Sequence, residues 1–284
     1  MMSTPRIKLA IVVGIVAFFG VGAGAVHALL VVYPSTSTIE SETLFQDQPA
    51  QPKHPGSLHI PILIYHSVRP DFTGETQEQK MFNVPPDLFD EQLTYLEKNG
   101  YTVISMDDLT QDLLVGNTGS VQKPVVITFD DGWKNQYVYA FPLLKAHHVN
   151  ATFFVFTNPI LNDKPHFMSW ADLKDMQASG MIIGSHTVTH PYLSKLSHDQ
   201  LAHEIIDSKK TIEEKLGTSV KHFASPFGFS DDTVVSLLKE AGYTTGRTTY
   251  RGAYHSKADM LTLSGFMVTS RDMKTFEWYV RDAE

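Results

Sequence analysis

The chain has 284 residues, 42% hydrophobic and 11% aromatic, enough apolar material for one sizeable core, and a net charge of −8. No cluster of lysine and arginine appears beyond the first residues, which sets nucleic acid aside as a partner. The absence of cysteine removes disulfides, zinc–thiolate sites and thiol nucleophiles together, leaving histidine and carboxylates as metal ligands.

At the N-terminus, Arg6 and Lys8 precede an uncharged apolar run over 9–33, longer than the roughly 20 residues a bilayer-spanning helix needs. Residues 1–33 are therefore expected to be a membrane anchor with the remainder exported. A cleaved signal segment is the alternative, because Val26-His27-Ala28 offers small residues for processing. Residues 34–58, rich in Ser, Thr, Pro and Gln, read as a flexible spacer, and 59–284 as one catalytic domain. Within that domain, short apolar runs predict strands over 60–65, 101–104, 125–129, 151–156, 181–184, 222–224 and 243–245. Amphipathic helices fall between them: Phe89, Leu93 and Leu96 share a face, as do Tyr137, Phe141 and Leu144, and Leu201, Ile205, Ile212 and Leu216, the last group ended by Gly217. Ser169 with Asp172 and Ser197 with Gln200 have the spacing of capping boxes. Strand–helix alternation of about seven units predicts a parallel α/β sheet closed into a barrel.

The chemistry concentrates at Thr128-Phe129-Asp130-Asp131-Gly132 and Ser185-His186-Thr187-Val188-Thr189-His190. Two carboxylates at the carboxyl end of a buried parallel strand lie where such folds place their reactions, and their side chains diverge. One can bind metal while the other moves protons. Two histidines four residues apart in one turn can face one cation. Taken singly, Asp-Asp-Gly is more often a solvated turn and His-x3-His a surface pair. Found in order, with that strand before them, they read as one metal site. His147-His148, at a helix end, reads as a cap or a wet surface pair.

These segments, with Ala224-Ser225-Pro226-Phe227-Gly228, resemble the first three motifs of the NodB-type polysaccharide deacetylases, carbohydrate esterase family 4. Ile64-Tyr65-His66-Ser67-Val68 and the stretch from Pro86 to Tyr101 resemble the branch acting on poly-N-acetylglucosamine. The resemblance implies an irregular (β/α)7 barrel that removes acetyl groups from sugars with a divalent metal, most commonly Zn2+, while one aspartate and two histidines also suit Co2+, Ni2+ or iron. It implies Asp131, His186 and His190 as metal ligands, Asp130 as general base, and the Pro226-Phe227-Gly228 turn as a backbone donor to the oxyanion. His66 is a candidate for the sugar site, and Trp133, Trp170 and Tyr192 are candidates to stack on sugar rings, Trp133 first among them.

Two departures stand out. The arginine that opens the third motif in many relatives, where it orients the catalytic aspartate, is Ala224 here, and no histidine follows Leu261-Thr262-Leu263-Ser264, where the family's general acid is expected. Protonation of the leaving group then falls to His255, His66 or Asp130. The expected function is deacetylation of an N-acetylhexosamine polymer of cell wall or exopolysaccharide. O-acetyl ester hydrolysis and glycan binding without turnover are the alternatives. The expected partners are the polysaccharide and, through the N-terminal segment, the membrane, with no obligate protein partner.

Overall fold

Eight short strands, all parallel, make one curled sheet: β1 (Ile62–Tyr65), β2 (Thr102–Val103), β3 (Pro124–Phe129), β4 (Thr152–Val155), β5 (Ile182–Ser185), β6 (His222–Ala224), β7 (Thr245–Arg247) and β8 (Phe266–Met267). The computed structural model describes residues 55–269 and 271–281, so the apolar run over 9–33 and almost all of the spacer expected over 34–58 lie outside the described residues. Among the described residues no helix is long and apolar enough to cross a membrane.

The strand order is β7-β6-β5-β4-β3-β1-β8, with β2 beside the start of β3. Every residue of β1, β3 and β4 is buried, as expected for parallel strands covered on both faces. Alternate residues serve different cores. Leu63, Val125, Ile127 and Phe129 join the large cluster beneath the helices, while Ile62 and Val126 pack with Ile60, Ile104, Met106 and Leu109 in a second one. The two outer strands are bridged by an irregular stretch in which Leu263 pairs with Arg247 just before Phe266 pairs with Leu63. The parallel α/β sheet expected from the sequence is present, as a curled half-barrel rather than the closed barrel expected, with a single bridge between the irregular stretch and the outer strand.

Most predicted strands fall within a residue or two of the observed ones, and both capping boxes form. The last predicted strand is displaced by two residues, 243–245 against Thr245–Arg247. Gly242, at φ 76°, turns the chain out of the preceding helix, and Tyr243 is committed to the core, donating its hydroxyl to the Ile205 carbonyl. The ladder therefore starts later. Two helical stretches contain a π turn, at Gln136–Ala140 and His203–Asp207, each burying a polar side chain, Gln136 and Glu204.

Candidate metal centre

Asp130 and Asp131 leave the end of β3 in different directions. The Asp130 N–H donates to the Tyr65 carbonyl (2.9 Å), extending the ladder by one residue, and the side chain is buried. Asp131 and Gly132 follow with φ of 74° and 73°, two left-handed residues that swing the chain away from the sheet. A Cβ on Gly132 would sit 3.0 Å from Val155 Cγ1, a tight contact, and its positive φ is what favours glycine there. Trp133 donates its indole N–H to Asp131 Oδ2 (2.9 Å), while Oδ1 faces the histidines. Gln136 fixes the corner from behind by donating to the carbonyls of His66 (2.6 Å) and Asp130 (2.5 Å).

His186 follows β5. Its Nδ1 lies 2.7 Å from the Ala224 carbonyl, which can only accept, so the ring proton is on Nδ1 and Nε2 presents a lone pair. Asp131 Oδ1 is 3.6 Å from His186 Nε2 and 3.4 Å from His190 Nε2, and the two nitrogens are 3.1 Å apart. Bonds of about 2.0–2.1 Å to a tetrahedral ion would set its ligand atoms about 3.3 Å apart. One carboxylate oxygen and two imidazole nitrogens at these separations fit one divalent cation, and this is a candidate metal site of the described residues. Burial lowers the His186 pKa against the pull of Asp130 and Asp131. Burial and the neighbouring His186 bring His190 down to about 4. Both rings are therefore neutral near pH 7, the form that binds metal.

The guanidinium of Arg247, at the end of β7, meets both carboxylate oxygens of Asp130 at 2.5 Å, with Arg247 fully buried. Burial alone would raise the Asp130 pKa, but Arg247, then His186 and His66, outweigh it and hold the carboxyl below its ordinary value. Asp130 is thus a carboxylate at neutral pH. The sequence does not reveal this partner, because the third-motif position where the resemblance places an arginine is Ala224. An arginine in a strand of otherwise buried small residues, Thr245-Gly246-Arg247-Thr248, was the available signal.

Phe227 has φ 56°, and its ring lies 4.8 Å from that of His190 and stacks on Tyr192 at 3.9 Å. Pro226 is buried beside it. Gly228 is confined, since a Cβ there would fall 2.0 Å from Thr249 Oγ1. His66 packs against Phe82 (4.9 Å), and its carbonyl accepts from the same Gln136 side chain that donates to the Asp130 carbonyl, so it belongs to this rim. Trp133 stacks on Phe167 (4.5 Å), with one ring face covered and its N–H committed to Asp131. Trp170 packs against the main core and Tyr192 is exposed. His255 is elsewhere: it pairs with Leu58, before the amino end of β1, and is fully buried at the end of the sheet opposite Asp130. That position removes it as the proton donor. His147 caps its helix and lies 2.9 Å from Asp90.

A family model described as polysaccharide deacetylase matches residues 118–246, a span containing all three motifs. YxkH of Bacillus subtilis is 28% identical over 230 residues, 81% of this chain and 78% of that protein. A poly-beta-1,6-N-acetyl-D-glucosamine N-deacetylase of Staphylococcus aureus is 25% identical over 246 residues, 78% of this chain and 83% of the relative. Among solved structures, the Streptococcus pyogenes deacetylase PplD in complex with acetate is similar with a TM-score of 0.70 and 30% identity, over 75% of this chain and 93% of that one.

Proposed function

Since this chain belongs to the polysaccharide deacetylase family, we propose that it is a metal-dependent hydrolase removing acetyl groups from N-acetylhexosamine polymers. The observation that carries this reading is the pairing of an ionised, arginine-held Asp130 with the Asp131–His186–His190 cluster on the same rim. A divalent cation held by those three side chains would supply Lewis acidity, polarising an acyl oxygen and making a water more acidic. Zinc suits the donor set, and cobalt or nickel would also be accepted.

The chain's own residues then divide the work. Asp130 takes the proton of the attacking water, and Arg247 keeps it ionised for that task. The left-handed turn at Phe227 offers a backbone N–H to the oxygen that gains charge as the acetyl carbon becomes tetrahedral. When the C–N bond breaks, the leaving nitrogen needs a proton, and His66, on the same rim, is the side chain assigned to give it. General acid–base help of this kind is worth about 10²–10⁴ in rate. The polymer relatives motivate an N-acetylglucosamine substrate, and the apolar run over 9–33 motivates an exported, membrane-held protein.

A second reading, O-acetyl ester hydrolysis, is favoured by Leu263 and Ser264, which are buried with no histidine after them to protonate an amine. Acetate release by the full-length chain from N-acetylglucosamine oligomers and from an O-acetylated glycan, with zinc or with chelator, separates the two. Chelator-sensitive acetate from the oligomers supports amide hydrolysis; release from the ester alone moves the assignment; release from neither removes both.

A further inference from the structure

The turn that carries the two candidate histidine ligands is held by a carboxylate that none of the motifs contains. Between His186 and His190 the chain runs through Thr187 at φ 76° and reaches His190 at φ 58°, two non-glycine residues in the left-handed region within four positions. Such a backbone is unfavourable for a non-glycine residue and persists only where its surroundings impose it. Here they do. Val188 N–H and Thr189 N–H both donate to Glu204 Oε2, at 2.8 and 2.9 Å, and the Thr189 hydroxyl donates to Oε1 at 2.6 Å. On its other side the turn accepts from Thr157 N–H at the Thr187 carbonyl (3.1 Å) and from Asn158 N–H at the Val188 carbonyl (2.8 Å). Thr187 Oγ1 accepts from His190 N–H (3.0 Å), tying the second histidine to the middle of the turn.

Glu204 is 6% exposed. Three donors converge on it, so an acceptor-only group with two oxygens is what the geometry requires; an amide would turn an NH2 toward one of them. Glu204 sits in the π turn at His203–Asp207, where the helix is wider than a regular one, and both Glu204 and Ile205 are buried there, one under the histidine turn and one in the core.

We infer that Glu204 is a positioning residue for the metal centre: its carboxylate holds the Thr187–His190 turn in the strained form that aims both imidazoles at one point. The inference rests on the reading of Asp131, His186 and His190 as metal ligands. A buried Glu204 that only tied the helix to the sheet would matter for folding and not for metal affinity.

The test is zinc affinity, measured on the full-length chain by competition with a chromophoric chelator, beside the thermal midpoint of the metal-free protein. Glu204→Gln should bind zinc 10–100-fold more weakly than the parent, the usual cost of removing a group that orients a ligand, and its acetate release at limiting zinc should recover as zinc is raised. Zinc affinity within threefold of the parent, whatever the midpoint does, overturns the inference. If Glu204→Gln does not fold, Thr189→Val decides: Thr189 is exposed and the change removes only the 2.6 Å hydrogen bond, so a severalfold loss of affinity is expected and no loss overturns it. A parent that binds no zinc defeats the metal-site reading itself, whereas a parent that binds zinc as well as both variants defeats only the role of Glu204.

Discussion

The two ends of the sheet both bury histidines and treat them differently. At the carboxyl end, His186 lies among Asp130, Asp131 and Arg247, with its Nδ1 engaged by a carbonyl and its Nε2 aimed at a second imidazole. At the amino end, His255 is buried beside the Ile60 and Ile62 cluster, where burial outweighs the opposing pull of Asp259 and of the Ile60 backbone. The backbone follows the same division. Of the seven non-glycine residues with positive φ among the described residues, Asp131, Thr187, His190 and Phe227 line the candidate site, while Lys123, His148 and Asp163 are at exposed turns. Among the described residues, the left-handed non-glycine positions away from exposed turns thus lie on the rim where charges are paired, as expected where a fold holds side chains in place for chemistry.

The largest break in this contrast is His186→Ala. It removes one of the three candidate ligands and, if they hold the metal, should abolish tight zinc binding, read by chelator competition, and bring acetate release to background. Next is Arg247→Ala. Removing one partner of a buried ion pair costs about 3–5 kcal/mol, to be read by denaturant unfolding. With Arg247 gone, burial is left to raise the Asp130 pKa, so in whatever protein remains folded the acid limb of kcat/KM should move to higher pH. Trp133→Phe keeps the stack on Phe167 and deletes only the donor to Asp131 Oδ2; about tenfold weaker zinc is expected, at the lower end of the range for ligand-orienting groups.

His255→Leu is the smallest effect on catalysis and the sharpest test of the other end. Burial depresses the His255 pKa to about 4 from an ordinary 6.5, so the unfolded chain binds this proton more tightly than the folded one. The native state therefore keeps its full stability above pH about 6.5 and loses up to about 3 kcal/mol from this group as pH falls to about 4. The leucine variant should keep its acetate release and lose that part of the acid dependence in melts taken across this window. A variant as acid-sensitive as the parent would show that His255 does not titrate in this way.

The sequence made legible what is local. Asp130, Asp131, His186 and His190 lie in two short segments, and a strand end and a turn bring each pair together. The arginine was hidden because it reaches Asp130 from 117 residues away, and because a strand placed over 243–245 stopped two residues short of it. Gln136 and Glu204 were hidden for another reason: they sit in helices whose apolar spacing reads the same with or without a π turn. Trp133 was legible as an aromatic near the motif, but its N–H to Asp131 depends on the left-handed pair Asp131-Gly132, which no periodicity encodes.

The most direct measurement of the central claim, that Asp130 held by Arg247 serves as base beside the metal ligands, is zinc binding and acetate release from N-acetylglucosamine oligomers by the parent and by Asp130→Asn. The account predicts that both bind one zinc ion and that the variant turns over about 10²–10⁴-fold more slowly. Turnover by Asp130→Asn within threefold of the parent would contradict it.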